Sequence, residues 1–287
     1  MDFTDARVAI VGLGLMGGSL AAALRASGRC REVVGVARRR STCARALSLR
    51  FVDRATTDLE EGVGDVDVVV LATPVRDILD KVKTIGVLLK PGCLVMDVGS
   101  TKRAICEAMA RMPPHVQPIG GHPMCGKETS GLTMAEPGLY HDSVFVLVPL
   151  DRTAPQALAL AKDLVEDIGA KPLVLDAKHH DHIVAAISHL PYLLAVTLVN
   201  AAEELACEDP LAWELAAGGF RDTSRVAGSS LVMMLDILRT NRGPILDALH
   251  KAQDQLAFLS RCLEDDEFEE LEAALRVARN KRRDMYR

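Results

Sequence analysis

Aromatic side chains are scarce: one Trp, three Tyr and six Phe make up 3% of the 287 residues. A surface that stacks nucleobases needs such rings, so that class of function is disfavoured. No two cysteines have the C-x-x-C spacing, and the seven present are odd in number. Neither a disulfide framework nor a zinc ribbon fits, and reduced thiols in a cytosolic protein are expected. Positive charge is not in excess either. Lys and Arg number 34 against 39 Asp and Glu, a formal charge of −5. Affinity for a phosphate backbone rests on clustered cations, so no nucleic-acid partner is expected. The stretch Met1-Asp2-Phe3-Thr4-Asp5 has no basic region followed by an apolar one. No secretory signal is expected, and the expected compartment is the cytoplasm, or a plastid if a transit peptide has been removed. Internal repeats and low-complexity linkers are also missing.

What is there is an ordinary globular composition, 49% hydrophobic and 25% charged. The length suggests two domains and suffices to bury a core without disulfides or metals. Residues 7–12, 32–37, 66–72 and 93–98 read as strands, and 66–72 is almost continuously apolar. Strands covered on both faces have that character, which points to a parallel sheet. Helices are predicted at 14–27, 41–50 and 75–89, the last closed by Lys90-Pro91-Gly92. Further strands are predicted at 117–120, 143–149 and 171–175. This alternation is the signature of a doubly wound α/β domain, expected over residues 1–176. From 177 to 287 the pattern is helical throughout, so the second domain is expected to be all-α.

Residues 183–202 are apolar enough to suggest a membrane span, but Ser188, His189, Pro191 and Asn200 interrupt them. A buried central helix is expected, with no membrane association. Leu249, Leu256 and Leu263 recur every seven residues, with Leu246 and Leu259 on neighbouring turns. That stripe must bury against a partner subunit or another helix of the same chain. The basic run 279–287 reads as a solvated helix end.

Gly12-Leu13-Gly14-Leu15-Met16-Gly17 fits G-x-G-x-x-G between a predicted strand and a predicted helix. In that context the pattern binds a dinucleotide. Gly12 suits the tight turn, Gly14 the approach of a pyrophosphate, and Gly17 the packing of helix on strand. The helix N-terminus adds free N–H groups and positive potential. A structural glycine turn without cofactor is the other reading. About twenty residues on, a carboxylate would bind the ribose 2′-hydroxyl of NAD. Here the chain instead reads Ala37-Arg38-Arg39-Arg40-Ser41-Thr42. Arginines pair with a 2′-phosphate and hydroxyls donate to it, so NADP is the expected cofactor. A solvated basic loop is the alternative. Arg38 or Arg39, nearest the strand end, would make the contact. Candidate cofactor residues are Gly12, Gly14, Leu15, Met16, Gly17, Arg38, Arg39, Ser41 and Thr73.

Four later segments narrow the reading. They are Asp97-Val98-Gly99-Ser100-Thr101-Lys102, Gly120-Gly121-His122-Pro123-Met124-Cys125-Gly126, Ile187-Ser188-His189-Leu190-Pro191 and Gly219-Phe220-Arg221-Asp222-Thr223-Ser224-Arg225. In this order, behind the glycine motif, they resemble the prephenate/arogenate dehydrogenase family of tyrosine biosynthesis. The resemblance runs from about Arg7 to Gly228. The Arg38-Arg39-Arg40 stretch is similar to NADP-using arogenate dehydrogenases of cyanobacterial and plant type. The resemblance implies a Rossmann-like domain followed by a helical dimerisation domain, a homodimer, and a small-molecule substrate, arogenate or prephenate. It implies oxidation of a ring hydroxyl, hydride transfer to the nicotinamide, and loss of the ring carboxylate as CO2.

By the same resemblance His122 takes the hydroxyl proton, which suits an imidazole. Ser100 matches the family serine that bonds substrate hydroxyl and histidine; a helix N-cap is its other role, and both can hold. Lys102 contacts substrate or cofactor, or lies on the helix surface. Arg225 matches the arginine that grips the ring carboxylate through its planar fork. Arg221 matches a second cation, serving a dimer partner's site. A salt bridge with Asp222 or another acid is the alternative for both. His189 is a substrate contact or a hydrogen-bonded core histidine. Tyr192 stands where some relatives have a histidine tied to substrate and tyrosine recognition, which puts feedback inhibition by tyrosine in doubt. His179, His180, Asp181 and His182 invite a metal reading, but adjacent positions on one turn cannot all face one ion, and no metal is expected. Asp181 reads as the N-cap of the helix that follows. Two other functions compete. A β-hydroxyacid dehydrogenase would rest on a lysine in the helical domain, and Lys178, Lys251 and Lys281 sit in no such motif. A non-catalytic NADP sensor would not need His122, Ser100 and Arg225 together.

Overall fold

Runs of Val, Ile and Leu make the central strands, and in the computed structural model, which describes residues 3–285, they lie between two helical layers. The strands are β1 (Arg7–Val11), β2 (Glu32–Val36), β3 (Arg54–Thr56), β4 (Val68–Leu71), β5 (Leu94–Asp97), β6 (Gln117–Pro123), β7 (Val144–Pro149) and β8 (Lys171–Val174). They form one eight-stranded sheet in the order β3-β2-β1-β4-β5-β6-β7-β8. All neighbours are parallel except β6 and β7. The connecting helices are α1 (Leu15–Ser27), α2 (Arg40–Ser48), α3 (Leu59–Val63), α4 (Val75–Ile85), α5 (Arg103–Met109) and α6 (Pro155–Asp167). Leu20 and Leu24 of α1 and Ala161 and Leu164 of α6 cover one face. Ile78 and Val82 of α4 and Ile105 and Met109 of α5 cover the other. The doubly wound, mostly parallel sheet is as the sequence predicts. β3 is the strand the pattern misses, because Arg-Ala-Thr has no apolar run. Pairing with β2 and an ion pair from Arg54 Nε to Glu32 (2.7 Å) create it.

Beyond β8 the described chain is helical: α7 (Ala177–Val184), a π-helical turn (Ala185–His189), α8 (Leu190–Glu208), α9 (Leu211–Glu214), α10 (Gly218–Ser224), a 3-10 turn (Arg225–Gly228) and α11 (Leu231–Thr240). The first of these departs from expectation twice. Its N-cap is Asp176, whose carboxylate accepts from His179 N–H at 2.9 Å, so Asp181 is one turn inside the helix. The segment Ala177–Glu208 is long and apolar enough to cross a bilayer, yet only 28% of its apolar window is buried within this chain. It is not the buried central helix expected from composition. Its chain covers only part of it, and Ile187 and Leu205 stand 62% and 59% exposed.

By packing, the chain divides into two compact units, Met1–Arg242 and Gly243–Arg287. The first unit extends past the sheet because α7 and α11 bond directly to sheet-domain elements. Asp236 accepts from Arg76 N–H at the start of α4 (3.1 Å), and Thr240 and Thr101 share a hydroxyl hydrogen bond (2.8 Å). The second unit carries most of α12 (Arg242–Glu264) and all of α13 (Phe268–Met285). On α12 part of the leucine stripe is exposed: Leu246, Leu256 and Leu263 are 39%, 52% and 58% exposed. Leu249 and Leu259 of the same stripe are half-buried. The basic end of α13 is solvated as expected, with Arg282 and Arg283 in its last turn. Of the stretches read from sequence at the two ends, Met1, Asp2, Tyr286 and Arg287 lie outside the described residues.

Candidate functional site

In an open α/β sheet, ligands bind at the carboxyl edge where the strand order reverses. Here that point lies between β1 and β4. Gly12 follows β1 with φ +106, a left-handed conformation that a side chain resists. A Cβ there would lie 2.6 Å from the Ala72 carbonyl oxygen and from Thr73 Cγ2. A Cβ on Gly17 would collide with the Gly12 carbonyl, so the glycine lets α1 close onto the turn. Gly14 caps α1 with no side-chain bond and faces open space. Leu15 and Met16 open the helix, and the Tyr140 hydroxyl donates to the Met16 carbonyl at 2.8 Å. Thr73 Oγ1 is buried without a partner among the described residues. At the end of β2, Arg38, Arg39 and Arg40 are exposed and have no ion-pair partner among the described residues. Ser41 lies exposed in the first turn of α2, which also lacks a side-chain cap. A glycine cradle, an orphaned hydroxyl and unpaired cations fit a phosphate-bearing dinucleotide.

Two strands along, the carboxyl ends of β5 and β6 hold a buried ion pair. Lys102 and Asp97 are both fully buried and bonded to one another. Lys102 Nζ also donates to the Gly121 carbonyl. Asp97 accepts from Gly99 N–H (2.7 Å) and Gly121 N–H (3.0 Å). Gly121 must be glycine because a Cβ would strike the Asp97 carbonyl. Lys102 therefore lies neither on the helix surface nor free toward a ligand; it fixes the backbone one residue before His122. Breaking such a pair leaves a buried charge uncompensated, at a cost of about 3–5 kcal/mol. Lys102→Met is expected to lose that much stability in urea unfolding, and a loss under about 1 kcal/mol would refute the clamp.

His122 itself is buried at the end of β6. Its Nδ1 lies 2.8 Å from Nε2 of His180, and His180 Nδ1 lies 2.8 Å from Asp181 Oδ1. Burial first, then the charges of His180, Lys102 and His189, hold the His122 imidazole well below 6.5. It is neutral at ordinary pH and can accept a proton. His189, on the π-helical turn, is also buried. Its Nδ1 faces Asn241 Nδ2 at 3.3 Å, and that amide donates to the Asp181 carbonyl at 2.7 Å. Burial pushes His189 down to about 4, and its Nε2 has no partner among the described residues. His122, Lys102 and His189 are thus brought into one network.

The remaining candidates stand apart from it. Ser100 is half-buried and makes no hydrogen bond among the described residues; the N-cap of α5 is Lys102, so Ser100 does not cap it. Arg225 is bonded to Glu128, in the loop after His122. Arg221 is exposed and 4.0 Å from Asp222. Tyr192 is buried on α8, one turn from His189. The sequence reading missed His180 and Asp181 as partners of His122, and Asn241, Asp97 and Glu128 altogether. Only the His-Asp pair ahead of an apolar helix gave any signal, and it lies 58 residues from His122.

Known proteins share this fold. The family model for the nucleotide-binding domain of prephenate dehydrogenase matches residues 20–174. That for its dimerization domain matches residues 176–277. The prephenate dehydrogenase of Bacillus subtilis is 31% identical over 96% of this chain and 75% of its own. The crystal structure of Aquifex aeolicus prephenate dehydrogenase with hydroxyphenyl propionate and NAD+ superposes with TM-score 0.90, 29% identity and 98% coverage of both chains. That of Synechocystis arogenate dehydrogenase gives TM-score 0.83 and 34% identity, covering 98% of this chain and 100% of that one. The chain belongs to the prephenate dehydrogenase family, nicotinamide-dependent oxidoreductases of tyrosine biosynthesis that carry out an oxidative decarboxylation.

Proposed function

We propose that the protein is an NADP-dependent arogenate dehydrogenase, with prephenate as the alternative substrate, and that His122 is its base. One observation carries the chemistry: a buried histidine, bonded at Nδ1 to His180, stands at the carboxyl edge of the sheet that carries the glycine cradle. Bound nicotinamide supplies the hydride acceptor. His122 takes the proton of the ring hydroxyl as the carbinol carbon loses hydride. Ser100, whose hydroxyl has no partner among the described residues, holds the same substrate oxygen. Arg225 exchanges Glu128 for the ring carboxylate, which leaves as CO2 when the ring becomes aromatic. His189 offers its unpaired Nε2, and Tyr192 lines the same helix. The unpaired arginines 38 and 39, with Ser41, support NADP over NAD. The likeness to the Synechocystis arogenate dehydrogenase supports the amino-bearing substrate.

A homodimer fits the open apolar faces of Ala177–Glu208 and α12, and Arg221 is then free to serve the partner's site. The apolar helix is read as a subunit contact, not a membrane span. Sedimentation of the full chain should show a dimer, and a monomer at micromolar concentration would refute it. The function is tested by initial rates of cofactor reduction, with arogenate and prephenate each paired with NADP and NAD. Turnover of arogenate with NADP supports the whole reading. Turnover only with prephenate and NAD keeps the family but overturns both preferences. NADP binding with no turnover in any pairing overturns the reading of a catalyst.

A further inference from the structure

We infer that Asp181 and His180 are a positioning pair that sets which ring nitrogen of His122 carries the proton, and that couples this choice to the seating of helix α7 on helix α5. The inference rests on the reading of His122 as the base.

Helix α5 supplies no cap of its own: Lys102, at its N-cap, makes no side-chain capping bond. Its first N–H groups are received instead by a carboxylate from α7. Lys102 N–H donates to Asp181 Oδ1 at 2.7 Å, and Arg103 N–H donates to Asp181 Oδ2 at 2.9 Å. The same Oδ1 lies 2.8 Å from His180 Nδ1. Both oxygens of Asp181 therefore face donors. A carboxylate in that position only accepts, so His180 Nδ1 carries a proton. In a neutral imidazole the other nitrogen is then an acceptor. That nitrogen, His180 Nε2, faces His122 Nδ1 at 2.8 Å. His122 Nδ1 must therefore donate, and His122 Nε2 is left with a lone pair. This is the tautomer a base needs. The opposite tautomer would present an N–H to the substrate hydroxyl and could not take its proton.

All three side chains are buried, so water does not compete for these bonds. Asn241, at the end of α11, holds the turn from the other side through its bond to the Asp181 carbonyl. If α7 lifted from α5, the donors at Lys102 and Arg103 would leave Asp181 and the acceptor at His180 would move. The uncapping of a helix and the loss of a competent base are then one event. When His122 accepts the substrate proton at Nε2, its Nδ1 proton stays shared with His180. No proton needs to leave the chain of bonds.

Nitrogen-15 histidine spectra of the full chain test this directly, with the His122 signal assigned by its loss in His122→Asn. At neutral pH His122 should show a protonated Nδ1 and a bare Nε2. A wild-type His122 protonated at Nε2 overturns the proposal whatever the variants do. His180→Gln should lower kcat about a hundredfold, with KM and the NADP Kd within about threefold, and should redistribute the His122 tautomers. Asp181→Asn should lower kcat by a similar factor and lower Tm as well, because it also uncaps α5. Wild-type kcat in either variant overturns the coupling while an inactive His122→Asn still upholds the base. If His122→Asn turns over at the wild-type rate, the base reading fails and this pairing fails with it.

Discussion

His122→Asn is expected to lower kcat by about 10³-fold and to leave the NADP Kd within about twofold. Asparagine is close to the imidazole in size and keeps a polar end, but it cannot take a proton near neutral pH. The cofactor cradle is built on β1 and β4, whereas His122 ends β6, so the substitution leaves the glycine turn and Thr73 untouched. Stopped substrate turnover, together with a fluorescence titration of NADP, separates the two effects. Residual kcat above a tenth of wild type would sink the assignment. The pH profile of the wild type is a second check. Desolvation, aided by His180, Lys102 and His189, lowers the pKa of His122. The active, neutral form exists above that pKa, so a lowered value extends activity toward acid. The acid limb of kcat/KM should fall well below pH 6.5, and a limb centred at or above 6.5 would contradict the buried, neutral imidazole.

The parts of this site that the sequence reveals are those encoded by neighbours along the chain. The turn at Gly12-Leu13-Gly14 needs backbone freedom at fixed spacing between strand and helix, and both flanks announce themselves by period. Gly121 before His122 is legible as a motif, although its cause, the Asp97 carbonyl against its α-carbon, is not. Lys102 shows why. Read along the chain, it is a cation at a helix start, compatible with surface or ligand. In the fold it is buried on Asp97, five residues back, because Asp97 at the end of β5 and the Gly121 carbonyl of the neighbouring strand β6 converge on its ammonium. His180 and Asp181 are a sharper case. Their adjacency to other histidines suggests metal, and their place before an apolar run suggests a cap. The actual cap of that helix is Asp176, and Asp181 caps a helix 78 residues earlier instead. Bonds of buried polar groups are settled by which elements the topology brings together, and no local period carries that information. The apolar segment Ala177–Glu208 fails for a related reason: composition reports that it must be covered, but not whether its own chain does the covering.

The cofactor preference admits an equally direct trial. Replacing both Arg38 and Arg39 by alanine is expected to raise the Kd of NADP by about a hundredfold while that of NAD changes less than about threefold. A hydrogen bond between charged groups contributes about 1.5–3 kcal/mol, and two would in principle give far more. These arginines are exposed, however, and solvent and salt screen part of the attraction. Roughly 2.7 kcal/mol for the pair is therefore the reasonable scale, which is a factor of about a hundred. NAD lacks the 2′-phosphate, so it has nothing at this point to lose. Nor does this chain hold a carboxylate at Ala37 that would favour NAD once the arginines are gone. The wild-type Kd for NADP should also rise with ionic strength more steeply than that for NAD, since only the former rests on these cations. Equal weakening of both cofactors would mean that the arginines shape the loop and do not bind the phosphate. An unchanged NADP Kd would assign the basic stretch to solvent.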